Sequence, residues 1–190
     1  MAFIGLRYPV VATLNTHTDG SAPTYNAGMV IGHAIQANLT ITRNDNPLYA
    51  DDRIVEDDNG VTGMSIELGL DDIDEAVQVY MLGVKASSDT APDYSDTDQG
   101  APTVGFGYIR VRRKNGVTSY QATWYYKATF GQNDEPAQTK GESIEWQTPT
   151  VTGRVQGVSV DATGALTYRV RKSFTTEADA KDWLDTFAGL

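Results

Sequence analysis

Apolar and polar residues alternate with a period of two over several stretches of this chain, the pattern of strands with one buried face. Between Met29 and Thr42, Ile35, Ala37, Leu39 and Ile41 are expected on one side and Gln36, Asn38, Thr40 and Thr42 on the other. Met64, Ile66, Leu68 and Leu70 alternate in the same way with Ser65, Glu67 and Gly69. The plainest hairpin joins 104–114 to 117–130 through Asn115-Gly116, the pair favoured in a type I′ turn. In its second strand Tyr120, Ala122, Trp124, Tyr126, Ala128 and Phe130 are expected to share a face, opposite Ser119, Gln121, Thr123, Lys127 and Thr129. Further strands are expected over 143–148, 150–160 and 165–172. A short acidic edge strand or connection is expected over 47–56, closed by the turn signal Asp57-Asp58-Asn59-Gly60.

The period changes twice. Over 71–82, Ile73, Ala76, Val77 and Tyr80 recur at helical spacing, with Asp71 or Asp72 as the expected N-cap. Near the end, Thr176 and Asp179 approximate a capping box ahead of the apolar stripe Ala180, Trp183, Leu184 and Phe187, and Gly189 closes the helix over 176–188. Two segments show no sustained period. Residues 1–27 read as an extended arm with a short strand near 10–14, and 87–102 as a long acidic loop. The whole, 1–190, is expected to form one mainly β domain. Its expected form is a sandwich or barrel of seven or eight strands with one short internal helix and one C-terminal helix.

Composition narrows the function more than the fold. The 190 residues are 40% apolar and include no cysteine. Disulfides and thiolate chemistry are therefore excluded. No apolar run approaches the ~18 residues of a membrane-spanning helix. The N-terminus lacks the charged-then-apolar order of a signal peptide, so no membrane association or export is expected. The net charge of −10 is unevenly spread: residues 1–100 carry 16 acids and 4 bases, residues 101–190 carry 9 acids and 11 bases. Acidity opposes tight binding to nucleic acid, and the asymmetry suits an acidic surface meeting a basic one head to tail. The loops ending at Gly60 and Gly100 miss the ligand positions of a calcium-binding EF-hand. His17 and His33 form no zinc-type pair. Gly105-Phe106-Gly107 lies inside a hairpin and has Arg110 where a third glycine would bind a nucleotide. Adjacent carboxylates such as Asp51 with Asp52 point to opposite sides of a strand. No catalytic set and no cofactor are expected. Arg110, Arg112, Arg113 and Lys114 form the one dense basic cluster, suited to the charged end of a hairpin or to an acidic neighbour.

The segment LYADDRIVEDDNGVTGMSIELGLDDI (48–73) resembles the major tail proteins of long-tailed, non-contractile phages that infect Gram-positive bacteria. The resemblance extends to the opening IGLRYPVVA, to the hairpin APTVGFGYIRVRRKNG…YQATWYYKATF and to TKGESIEWQTP (139–149). It implies a structural protein of the virion tail, assembled in the host cytoplasm. Six copies would close into rings, and rings would stack into a tube through which DNA passes without specific binding. Its partners would be itself and the tape-measure, tail terminator and distal tail proteins. The polar strand faces then suggest Gln36, Asn38, Thr40, Ser65, Glu67, Gln121 and Thr123 as lumen-facing. Arg7, Tyr8, Asp51, Asp52, Asp93, Tyr94, Asp96, Arg112 and Arg113 are the candidates for contacts between subunits or rings. A related terminator or connector protein, or a β-sandwich that binds carbohydrate or a cation, is the alternative.

Overall fold

The structure is a computed structural model and describes residues 2–87, 93–131 and 148–190. The first half of the chain contributes β1 (Ala2–Thr16), β2 (Thr24–Tyr25), β3 (Met29–Val30), β4 (Ala34–Arg43), β5 (Asn46–Ala50), β6 (Arg53–Asp58) and β7 (Val61–Leu70). A short helix α1 (Glu75–Val77) runs on into a π-helical turn, Gln78–Leu82, and is followed by the small pair β8 (Lys85–Ala86) and β9 (Tyr94–Ser95). Then come β10 (Thr103–Lys114), β11 (Val117–Gly131), β12 (Thr150–Val155), β13 (Val158–Ser159), β14 (Leu166–Thr167), β15 (Arg169–Phe174) and the terminal helix α2 (Glu177–Ala188). The strand expected over 143–148 falls, except for Thr148, outside the described residues, as do 88–92 of the acidic loop.

Among the described residues nine strands form one antiparallel sheet in the order β2-β1-β10-β11-β12-β7-β4, with β15 beside β11 and β3 beside β1. Its centre is the expected β10–β11 hairpin, where Asn115 (φ 50°) and Gly116 (φ 81°) hold the left-handed turn conformation. Val104 faces Ala128 but Phe106 faces Tyr125, so β11 carries one extra residue at 126–127. A bulge of this kind bends the strand and reverses which face the following side chains take. The two halves of β11 accordingly pair with different strands, 120–125 with β15 and 128–131 with β12.

The sheet curls. β1 and β4 touch, although four strands separate them in the hydrogen-bonded order. No ladder joins them, so the barrel is not closed. Inside the curl Phe106, Tyr108, Tyr125 and Phe130 pack against Ile66, Leu68 and Leu70, with Met81 of the π-helical turn over them. On the opposite face, α2 lays Ala180, Leu184 and Ala188 on Val10, Ile109, Ala122 and Trp124. Glycine makes that docking possible: a Cβ on Gly107 would stand 2.7 Å from Trp124 Cε3 and 2.8 Å from Leu184 Cδ2. Thr176 caps α2 by accepting a hydrogen bond from the Asp179 N–H at 3.2 Å, and Gly189 ends it at φ 68°.

Several expectations change. The N-terminal segment is no arm: β1 runs inside the sheet, with Val10 in one core and Val11 in the other. A strand buried on both faces lacks alternation, so the sequence shows no period there. Ala128 and Phe130 leave the face of Trp124 because of the bulge. Ile35 is the extra residue of a second bulge between Ala34 and Gln36 and is turned out to solvent. The internal helix is capped by Asp74, whose carboxylate accepts from the Val77 N–H at 2.9 Å, and not by Asp71 or Asp72.

Candidate functional site

Five of the seven lumen candidates come together. Pairing of β4 with β7 sets Asn38 opposite Glu67 and Thr40 opposite Ser65. Glu67 accepts hydrogen bonds from Gln36 Nε2 at 3.0 Å and from Asn38 Nδ2 at 3.2 Å. The surface continues on β12, where Thr152 pairs with Glu67 and Arg154 with Ser65. Those two stand outside the set expected from the sequence, although the alternation Val151, Gly153, Val155 against Thr150, Thr152, Arg154 carries the signal. The result is a largely exposed polar sheet face beside the region covered by α2.

Gln121 and Thr123 do not belong to it. Both pair across from β10 residues that face the interior of the curl: Tyr108 stands opposite Thr123, and Arg110 opposite Gln121. Thr123 is fully buried, and its hydroxyl has no hydrogen-bond partner among the described residues. Gln121 is half-buried and accepts from Arg110 Nη2 at 2.7 Å. Parity along β11 places these two side chains on a wet surface only if the sheet is flat with one face in solvent. Here their face turns into the curl, which buries Thr123 fully and leaves Gln121 and the flanking arginines half-buried, with Arg171 exposed at its open end.

The candidates for subunit contacts are dispersed. Arg7 pairs with Glu177 at 2.6 Å, and the Tyr8 hydroxyl donates to Asp185 at 2.8 Å, so both serve to hold α2 within the chain. Burial and the Asp185 carboxylate push the Tyr8 hydroxyl up to about 12. Asp51 and Asp52 form the tip of the β5–β6 ribbon, at φ 52° and 59°. Asp93, Tyr94 and Asp96 lie exposed at and beside β9. Arg112 and Arg113 are neighbours on β10 and so point to opposite faces.

Arg112 instead joins a group the sequence did not reveal. Along β10, Tyr108, Arg110 and Arg112 share a face, and β15 aligns Arg169 with Tyr125 and Arg171 with Thr123 on that same face. Four arginines thus occupy the two strands that flank β11. Arg110 lies 4.2 Å above the Phe3 ring, and Arg169 reaches toward the Tyr125 hydroxyl at 3.5 Å. None of the four makes a salt bridge to a described carboxylate. Two of them, Arg110 and Arg169, act on Tyr108, where they offset part of the rise that burial imposes on its hydroxyl.

Among the described residues no group of three or more His, Asp or Glu side chains could hold a metal ion. His33 and Asp71 do pair, at 2.8 Å and well exposed, and the His33 backbone N–H holds the Asp71 carboxyl below its ordinary value. No protein-family model matches this chain, and no curated protein does so either.

Proposed function

We propose that the chain is a tail-tube protomer: a structural virion protein that closes into rings, which stack into a tube around passing DNA. The observation that carries this reading is a bare polar sheet face that ends in unpaired strand edges. Among the described residues β4 pairs only with β7, and residues 2–7 of β1 pair only with β10. Unprotected edges recruit further strands. Exposed Ile35 and Ile41 on β4, and Phe3 and Ile4 on β1, would gain burial when copies join. Edge-to-edge joining of β4 of one copy to β1 of the next is a head-to-tail contact, and such contacts generate rings where the rotation closes. The polar face would then run on from copy to copy. Gln36, Asn38, Thr40, Ser65 and Glu67 offer DNA phosphates amides, hydroxyls and a carboxylate, with Arg154 beside them. Too few counterions would be released on contact for DNA to be retained. Tape-measure, terminator and distal tail proteins are the partners this role implies.

Negative-stain microscopy of concentrated protein should show rings or tubes. The double variant Ile35→Lys/Ile41→Lys places charge on the β4 edge and should stay monomeric while keeping the wild-type circular dichroism. A wild-type protein that remains monomeric by sedimentation at high concentration and across salt conditions would refute the proposal.

A further inference from the structure

We propose that the four-arginine face is the receptor for the acidic β5–β6 ribbon of a second copy of this chain. This deepens the tail-tube reading and rests on it for its place between stacked rings.

Among the described residues the ribbon, residues 46–58, pairs only with itself. It carries five acids (Asp51, Asp52, Glu56, Asp57 and Asp58) against Arg53, a net of 1 − 5 = −4. Leu48 and Tyr49 are consecutive, so they point to opposite faces, yet they are 59% and 65% exposed. On the second strand Ile54 stands opposite Tyr49 and Val55 is the extra residue of a bulge, and both are exposed. The ribbon therefore leaves apolar side chains uncovered on both faces. An isolated two-stranded hairpin is marginally stable in water, so such a ribbon gains from a surface that covers it.

The receptor answers both of its features. Arg110, Arg112, Arg169 and Arg171 lie on a face that carries no carboxylate from β10, β11 or β15. Two of them are held in place before any partner arrives, Arg110 by Phe3 and Gln121 and Arg169 by Tyr125. Guanidinium groups positioned in this way bind carboxylates through paired hydrogen bonds. Phe3 and Ile4 stand exposed on neighbouring β1 and supply an apolar margin for Tyr49 or Ile54. In a protein of net charge −10, most pairs of surfaces on two copies repel. This face and this ribbon are oppositely charged. Within one chain the ribbon strands pack on each other, and no comparable packing joins them to a strand of the arginine face. The contact is therefore between copies and heterologous, which is the geometry that propagates. Nucleic acid is the other polyanion such a face could take, and the same overall charge disfavours it.

The chain contains no cysteine, so single thiols can be placed at will. Asp52→Cys and Arg171→Cys chains, mixed and treated with a flexible bis-maleimide, should give a hetero-dimer in preference to either homodimer. Arg112→Glu/Arg171→Glu should raise the concentration needed for assembly about tenfold or more, while Arg112→Lys/Arg171→Lys should stay close to wild type. Circular dichroism and urea midpoints check that each variant folds. If wild type forms tubes but the hetero-dimer is absent and the glutamate variant assembles normally, the ribbon contact is wrong and the tube reading survives. If wild type forms no tubes yet the hetero-dimer appears, the contact stands and the tube reading falls. Salt-sensitive binding of a DNA oligonucleotide that Arg112→Glu/Arg171→Glu abolishes, with no hetero-dimer, would overturn the proposal in favour of nucleic acid.

Discussion

Substituting alanine for Gly107 tests the junction on which the fold turns, the seat of α2 on the central hairpin. The added Cβ would stand 2.7 Å from Trp124 Cε3, 2.8 Å from Leu184 Cδ2 and 3.0 Å from the Thr123 carbonyl oxygen. The carbonyl cannot move without breaking the β10–β11 ladder, and Trp124 is fully buried against Tyr25 and Phe187. Relief must come mainly from Leu184, and therefore from α2. Overpacking of this kind costs about 1–3 kcal/mol. For a domain of this size that lowers the melting temperature by roughly 3–10 °C. Leu184→Ala alone should cost about 2–5 kcal/mol by opening a cavity. The double variant should cost less than the sum, by about 0.5–1.5 kcal/mol, because truncating Leu184 removes one of the three clashes. Urea unfolding followed by tryptophan fluorescence and circular dichroism measures all three. A Gly107→Ala protein within about 0.5 kcal/mol of wild type, the range of a neutral surface change, would refute the packing described for α2. Strict additivity in the double variant would refute the Gly107–Leu184 contact.

Alkaline pH should unfold the chain through its tyrosines. Burial raises the Tyr25 and Tyr108 hydroxyls above the ordinary value of 10.0, and Tyr8 and Tyr126 rise as well. The unfolded chain then releases these protons first. Stability is intact below pH ~10 and declines as pH rises toward the folded values. Each deeply buried hydroxyl then costs about 1.4 kcal/mol for every pH unit climbed between its unfolded and folded pKa. The more exposed Tyr8 and Tyr126 contribute less, because solvent screens them. Tyrosinate absorbance should appear together with loss of circular dichroism, and ionisation of these tyrosines well before unfolding would contradict their burial. Thr176→Ala removes the N-cap of α2 and should cost about 1 kcal/mol, with Thr176→Ser close to neutral in thermal unfolding. Equal losses in both variants would show that the cap hydroxyl is not what holds the helix start.

Much of the local structure was legible in the chain. Asn115-Gly116 set the hairpin, alternation from Met64 to Leu70 set β7, and Thr176 with Gly189 set both ends of α2, because each rests on neighbours in sequence. The polar face of β4 and β7 was legible for the same reason: one side of that strand pair is wet, so Gln36, Asn38 and Glu67 alternate with the buried set. What escaped was whatever depends on two covered faces or on distant partners. β1 shows no period because Val10 and Val11 enter different cores, and Thr123 reads as a surface residue although both sides of its strand are packed. The arginine face was hidden because β10 and β15 are far apart in sequence, and Arg110 and Arg112 meet Arg169 and Arg171 only through β11. The sequence by itself determined a mainly β chain with its turns, caps and half-wet strands, since these follow from short-range periodicity and backbone preference. Tertiary structure alone decided where the sheet curls, which half of β11 faces which core, and which charges gather on one surface. A single bulge reverses side-chain parity, and no count along the chain contains it.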